Sequence, residues 1–311
     1  MRYRVSLKVW EVSEVETFEY EESPQIVGLA EDESIYEGYL EEGLTIAFVD
    51  GVRRIDYTAY VFDEANQRSY EGIFATIGAG AIFLKPKSLN LLEDALCEQR
   101  IRKVFLVNGY VEKSALGPLD YEVVSIESTD LSLSLLKLLR EEEAKVAMEV
   151  SKKRKPDLIV CDGTLNHKLK NIGCVGFVKT IKKLFINRDQ THLLHSLRKG
   201  QRTPIVKVHY QTEVEQEEKL EKYTWYVKLS DREGLGALSR VEMFKEEDFQ
   251  KVRRIADLTA AILPTFASSP FQDVRSPQNL LPIKMLENIL RRHLGTPDMA
   301  RKRLQEIFQN A

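Results

Sequence analysis

Cysteine is scarce in this 311-residue chain. The three that occur, Cys97, Cys161 and Cys174, are widely separated and odd in number, which excludes a disulfide framework and a CxxC zinc pair. Long apolar runs are also lacking. No segment approaches the roughly 20 apolar residues a membrane-spanning helix needs, and no basic stretch followed by an apolar one marks a secretion signal. These absences predict a soluble, cytoplasmic protein with reduced, mostly buried thiols. No Pro/Gly/Ser-rich linker and no internal repeat breaks the chain, so a single domain over residues 1–311 is expected, with 43% hydrophobic content to fill its core.

Net positive charge is missing too, since the formal value is −3. That average conceals two opposed regions. Residues 1–42 carry twelve acidic and three basic side chains, whereas residues 166–202 carry nine Lys and Arg against the single acid Asp189. A segment of the second kind attracts phosphate backbones even in a mildly acidic protein. It serves equally as a solvated face balanced by the acidic end.

What is present is a set of short apolar, β-branched runs. Leu44 to Asp50 reads as a buried strand ended by Gly51, and Arg54 to Phe62 as a second strand joined to it by a hairpin. Residues 71–84 supply a third strand with room for a fourth, and residues 102–107 another. From Thr129 to about Ser151 the period becomes helical, with Asp130 or Ser132 as cap. Pro156 then introduces a second buried strand, Asp157 to Asp162. Residues 173–185 place basic side chains at helical spacing. Ile205–Tyr210 and Tyr223–Leu229 read as paired strands. Two helices are expected near 246–263 and 278–294, the latter with Pro282 in its first turn and stopped by Gly295 and Pro297.

The two Asp-Gly strand ends, Asp50-Gly51 and Asp162-Gly163, are the landmark. Strand, hairpin, strand, helix, strand is the order of a ribonuclease H-like α/β fold, a mixed sheet flanked by helices in which the first strand and the strand after the helix lie parallel. An Asp at each end would then face the same divalent ions, and Mg²⁺ and Mn²⁺ are hard cations that prefer oxygen ligands. Asp-Gly is equally a common turn dipeptide, so either copy alone carries little. Asp162-Gly-Thr-Leu165 is also similar to the haloacid-dehalogenase phosphatase motif, whose nucleophilic Asp precedes by two residues. Val160 stands there, so no aspartyl-phosphate can form.

Val49-Asp50-Gly51, the stretch LIVCDGTL over 158–165, Gly176-Phe-Val-Lys179, Arg240-Val-Glu242, Arg275-Ser-Pro-Gln-Asn-Leu280, Leu286-Glu287 and Leu290 to Gly295 occur in one order. As an ordered set over roughly residues 44–295 they resemble the NurA family of DNA repair nucleases. The resemblance implies a metal-dependent DNA phosphodiesterase acting as a 5′→3′ exonuclease and single-strand endonuclease. It further implies a site of two Mn²⁺ or Mg²⁺ ions, a homodimer, and a HerA-type hexameric ATPase as partner in DNA end resection. The acidic segment 1–42 is a candidate surface for docking that motor.

By position, Asp50 and Asp162 match the two strand-end metal ligands. A third carboxylate is expected on the intervening helix, where Glu141, Glu142, Glu143 and Glu149 lie. Glu143 is preferred because Arg140-x-x-Glu143 resembles the family's spacing. Where some members place a Tyr and, eight residues later, a His, this chain has Phe271 and Asn279. Phe offers no oxygen and Asn only a neutral one, so Asn279 and Asp273 are the candidates for a further ligand. This departure sustains a second reading, an inactive adaptor that guides DNA beneath a ring-shaped translocase. Lys179 matches the family pattern as a phosphate contact; Lys182, Lys183, Arg53 and Arg275 are further DNA-binding candidates. His167, His192 and His195 lack the partners of a zinc site, and Trp225 and Tyr226 read as packing residues.

Overall fold

Small and β-branched residues carry two strands well beyond the lengths their sequence signals suggest. The computed structural model describes residues 3–7, 25–84, 95–179, 184–210, 220–232, 234–269, 271 and 276–308. Its strands are β1 (Tyr3–Leu7), β2 (Gln25–Leu29), β3 (Tyr36–Glu37), β4 (Ile46–Asp63), β5 (Arg68–Leu84), β6 (Leu96–Val107), β7 (Glu122–Ser125), β8 (Leu158–Asp162), β9 (Cys174–Val178), β10 (Gln201–Arg202), β11 (Val206–Tyr210), β12 (Leu220–Lys228) and β13 (Leu238–Phe244). Its helices are α1 (Leu131–Arg154), α2 (Thr191–Ser196), α3 (Phe249–Phe266), α4 (Leu281–His293) and α5 (Pro297–Phe308).

The described strands join one mixed sheet in the order β2-β11-β12-β13-β9-β8-β4-β5-β6-β7. At its centre β5 runs antiparallel to both β4 and β6, and β8 returns parallel to β4 with Phe48 opposite Val160. Strand β9 then adds parallel to β8. This is the α/β, ribonuclease H-like arrangement expected, extended on one side by β11–β13 and at the C-terminus by helices. Among the described residues no helix is long and apolar enough to cross a membrane.

Gly51 does not end its strand. Strand β4 continues to Asp63, bulges between Ile55 and Tyr57, and turns only at residues 64–67 into β5, a single strand where one or two were expected. At that turn Asp63 Oδ1 accepts from the Ala65 and Asn66 amides. Gly51 is required for a different reason: a Cβ there would lie 2.5 Å from Glu143 Oε1 and 2.7 Å from Leu139 Cδ1, so the glycine lets α1 press onto the sheet. Helix α1 itself starts as expected, Asp130 accepting from the Leu133 amide. It ends at Lys155 in the left-handed conformation, φ 47°.

Two further expectations need correction. The stretch after Gly173 forms strand β9, because Val175 and Phe177 on one side and Cys174 on the other are all wanted in the core. Pro297 does not merely stop a helix; Gly295, at φ 75°, turns the chain and Pro297 opens α5.

Strand alternation decides what faces the site. Phe48 and Val160 pack toward Phe266, Leu286 and Leu290 of α3 and α4, whereas Val49 and Cys161 pack toward Ala144 and Ala147 of α1. Asp50 and Asp162 continue the first series, so both carboxylates belong to the α4 side.

Candidate metal centre

Asp50, Asp162 and Glu287 each offer a carboxylate oxygen, and these oxygens lie within 4.8 Å of one another. Two arrive from adjacent parallel strands. The third comes from α4, where Glu287 stands one turn after the buried Ile283, at the border of the helix's buried face. Among the described residues this is the one such acidic or histidine group.

The donor atoms fit a hard cation. Asp50 is 5% exposed; its Oδ1 accepts from the Gly51 amide at 2.7 Å, but Oδ2 is buried with no hydrogen-bond partner. Asp162 Oδ1 is likewise buried without a partner. Buried carboxylate oxygens left so are costly unless a cation satisfies them. Burial, then the neighbouring Asp162 and Glu143 charges, push the Asp50 pKa well above the usual carboxylate range, against the pull of Lys179. Like charges crowded this way are characteristic of a functional site.

Lys179, immediately after β9, stands inside the site. Its Nζ lies 2.9 Å from Asp162 Oδ2 and donates to Asn279 Oδ1 at 3.0 Å. Burial works against the ammonium, but Asp162 and Asp50 outweigh it and hold the Lys179 pKa above the ordinary lysine value. Asn279, 1% exposed, therefore spends its amide oxygen on Lys179. Phe271 is fully exposed.

The glutamates of α1 separate by their partners. Glu143 is the one beside Asp50's strand, ion-paired with Arg140 at 3.0 Å, and Arg140 also donates to the Asp162 carbonyl at 2.6 Å. Glu142 is buried among Arg100, Arg102 and Lys145. Glu149 pairs with Arg100 and Lys153, and Glu141 lies 3.4 Å from Lys168. Glu287 was missed from sequence because an acid on an amphipathic helix looks like a solvated one; its place in the Leu286-Glu287 pair was the available signal.

The remaining candidates are dispersed. Asp273, Lys182, Lys183 and Arg275 lie outside the described residues, as do residues 8–24 of the acidic segment. Arg53 is half-buried on β4 opposite Ile77. The basic stretch is partly internal: Arg202 is buried against Glu31 and Asp257. The acidic segment is likewise partly engaged, with Glu31 bound to Arg202 and Arg253 and Glu41 to Arg254. His167, His192 and His195 are exposed and do not converge with other ligands. Trp225 donates to Thr259 and the Tyr226 hydroxyl accepts from the Phe185 amide, both fully buried, as packing residues should be.

A family model described as the NurA domain matches residues 44–292 of the chain. No curated protein matches it.

Proposed function

The chain belongs to the NurA family, a family of nucleases, and we propose that it hydrolyses DNA with divalent ions held by Asp50, Asp162 and Glu287. The observation that carries this reading is the pair of buried, unpartnered oxygens, Asp50 Oδ2 and Asp162 Oδ1, beside a third carboxylate. Two ions require more oxygen than three carboxylates readily supply; Glu143, on the α1 face, is the candidate for a fourth because its charge acts on Asp50. When bound, Mn²⁺ or Mg²⁺ supplies an activated water and stabilises the leaving oxygen of the phosphodiester. Asp50 and Asp162 would hold the ions at the ends of their two strands. Lys179, charged and anchored on Asn279, neutralises a phosphate next to the bond that breaks. Asn279 thus serves the lysine, and a carboxylate from α4 makes up the ligand shell.

The finer activities are proposed from the resemblance to the family and not from the geometry. They are 5′→3′ exonuclease and single-strand endonuclease cleavage of DNA in end resection, as a homodimer beneath a HerA-type hexameric ATPase. Incubation of labelled single- and double-stranded DNA with the protein in Mn²⁺, with chelator and Asp50→Ala controls, tests the reading. Cleavage that needs both the metal and Asp50 is expected. Intact DNA with the wild-type protein would instead favour the adaptor reading, for which the exposed Phe271 in place of a Tyr is the supporting feature.

A further inference from the structure

The chain leaving Asp162 is gripped by charges buried on the face of the sheet opposite the site. Glu242 of β13 is fully buried; its Oε1 accepts from the Leu165 amide at 3.0 Å and from Lys222 Nζ at 2.6 Å, while Oε2 accepts from Arg240 at 2.6 Å. Lys222, on β12 and 5% exposed, also donates to the Leu165 carbonyl at 3.2 Å. One ion pair thus holds both backbone groups of the residue three places after Asp162. The loop reaches it through a gap at Gly176: a Cβ there would lie 2.7 Å from the Gly163 carbonyl oxygen and 3.1 Å from both Leu165 Cγ and Glu242 Cγ. Gly163 N, in turn, donates to Phe177 O at 2.8 Å.

A buried ion pair is a poor source of stability, because desolvation offsets its Coulomb energy. Burying Lys222 and Glu242 here yields something apolar residues could not, a donor and an acceptor aimed at the two backbone groups of one residue. We infer that Glu242 and Lys222 are positioning residues for Asp162, locking the Gly163–Leu165 turn so that the Asp162 carboxylate is held toward Asp50 and Glu287. The inference rests on the metal-site reading above. Outer partners that orient a ligand typically change metal affinity or activity by about 10–100-fold when removed.

The test uses the full chain and two variants. Glu242→Gln removes the charge that Lys222 and Arg240 share, whereas Lys222→Met is the milder change, because it keeps the Glu242–Arg240 pair and the Leu165 amide bond. Hydrogen exchange of peptides covering residues 162–166, a Mn²⁺ titration and the kcat and KM for DNA cleavage are measured for each. Faster exchange confined to that turn is expected, with Mn²⁺ binding about tenfold or more weaker, a lower kcat and an unchanged KM. The effect should be smaller in Lys222→Met. Wild-type exchange at the turn in Lys222→Met, or wild-type Mn²⁺ affinity despite a loosened turn, overturns the inference. If the wild-type protein binds no Mn²⁺, the nuclease reading fails, and the exchange arm alone decides whether the clamp holds the turn.

Discussion

The ammonium of Lys179 sits 2.9 Å from the carboxylate of Asp162, inside the acidic group and not on the solvated surface its basic neighbours suggested. Lys179 therefore has two roles that can be separated. It lowers the pKa of Asp50, and in the proposed reaction it meets a phosphate. Lys179→Met should retain Mn²⁺ binding, because it frees Asp162 Oδ2, while kcat falls on the order of 10²–10³-fold. A titration of Mn²⁺ beside single-turnover cleavage reads both. Loss of metal binding with the lysine would show that it shapes the site instead.

Glu287 and Glu143 approach from opposite faces of the sheet. Glu287→Gln should weaken Mn²⁺ binding at least about tenfold. Glu143→Gln should also lower the pKa of Asp50, because the Glu143 charge is among the causes that raise it. Carboxylate titration by NMR in the metal-free protein measures that shift. An Asp50 titration that stays put, or a Glu287→Gln variant with wild-type affinity, would reassign the ligand shell.

Glu142 is predicted to matter for stability alone. Burial opposes its charge, but Lys145, Arg100 and Arg102 overcome that and hold its pKa at about 2, against an ordinary 4.5. A folded-state pKa below the unfolded one contributes stability that is present above pH 4.5 and is lost as pH falls toward 2. The full shift corresponds to roughly 3 kcal/mol. Urea denaturation at several pH values should show a flatter dependence between those limits for Glu142→Gln, with Mn²⁺ affinity unchanged. An equally steep dependence in the variant would contradict the assignment.

Gly51→Ala should cost about 1–3 kcal/mol, since overpacking displaces neighbours. The new Cβ would meet Glu143 Oε1 and Leu139 Cδ1, both on α1. Denaturant unfolding checks the size of the effect. A neutral substitution would mean that α1 moves away at no cost.

These cases also show which features can be read from local pattern. Asp50 and Asp162 were legible because each closes a run of buried β-branched residues, and the helix between them carries its own cap in Asp130. Parallel pairing of β4 with β8 followed from that order. Gly51 was misread as a turn because Asp-Gly has two uses, and only the packing of α1 reveals the second. Glu287 was illegible for a different reason. Its partners lie more than a hundred residues away in sequence, and its position beside Leu286 on an amphipathic helix is also that of a solvated acid. Glu242 was illegible because its role depends on tertiary pairing, with Gly176 directly opposite it on the neighbouring strand β9.

Manganese anomalous scattering from crystals of the wild-type protein locates the ions that the three carboxylates are proposed to hold. The expected result is a peak bounded by Asp50, Asp162 and Glu287, absent in Asp50→Ala. A protein that cuts DNA in Mn²⁺ while its manganese lies elsewhere, or a peak unaffected by loss of Asp50, would contradict it.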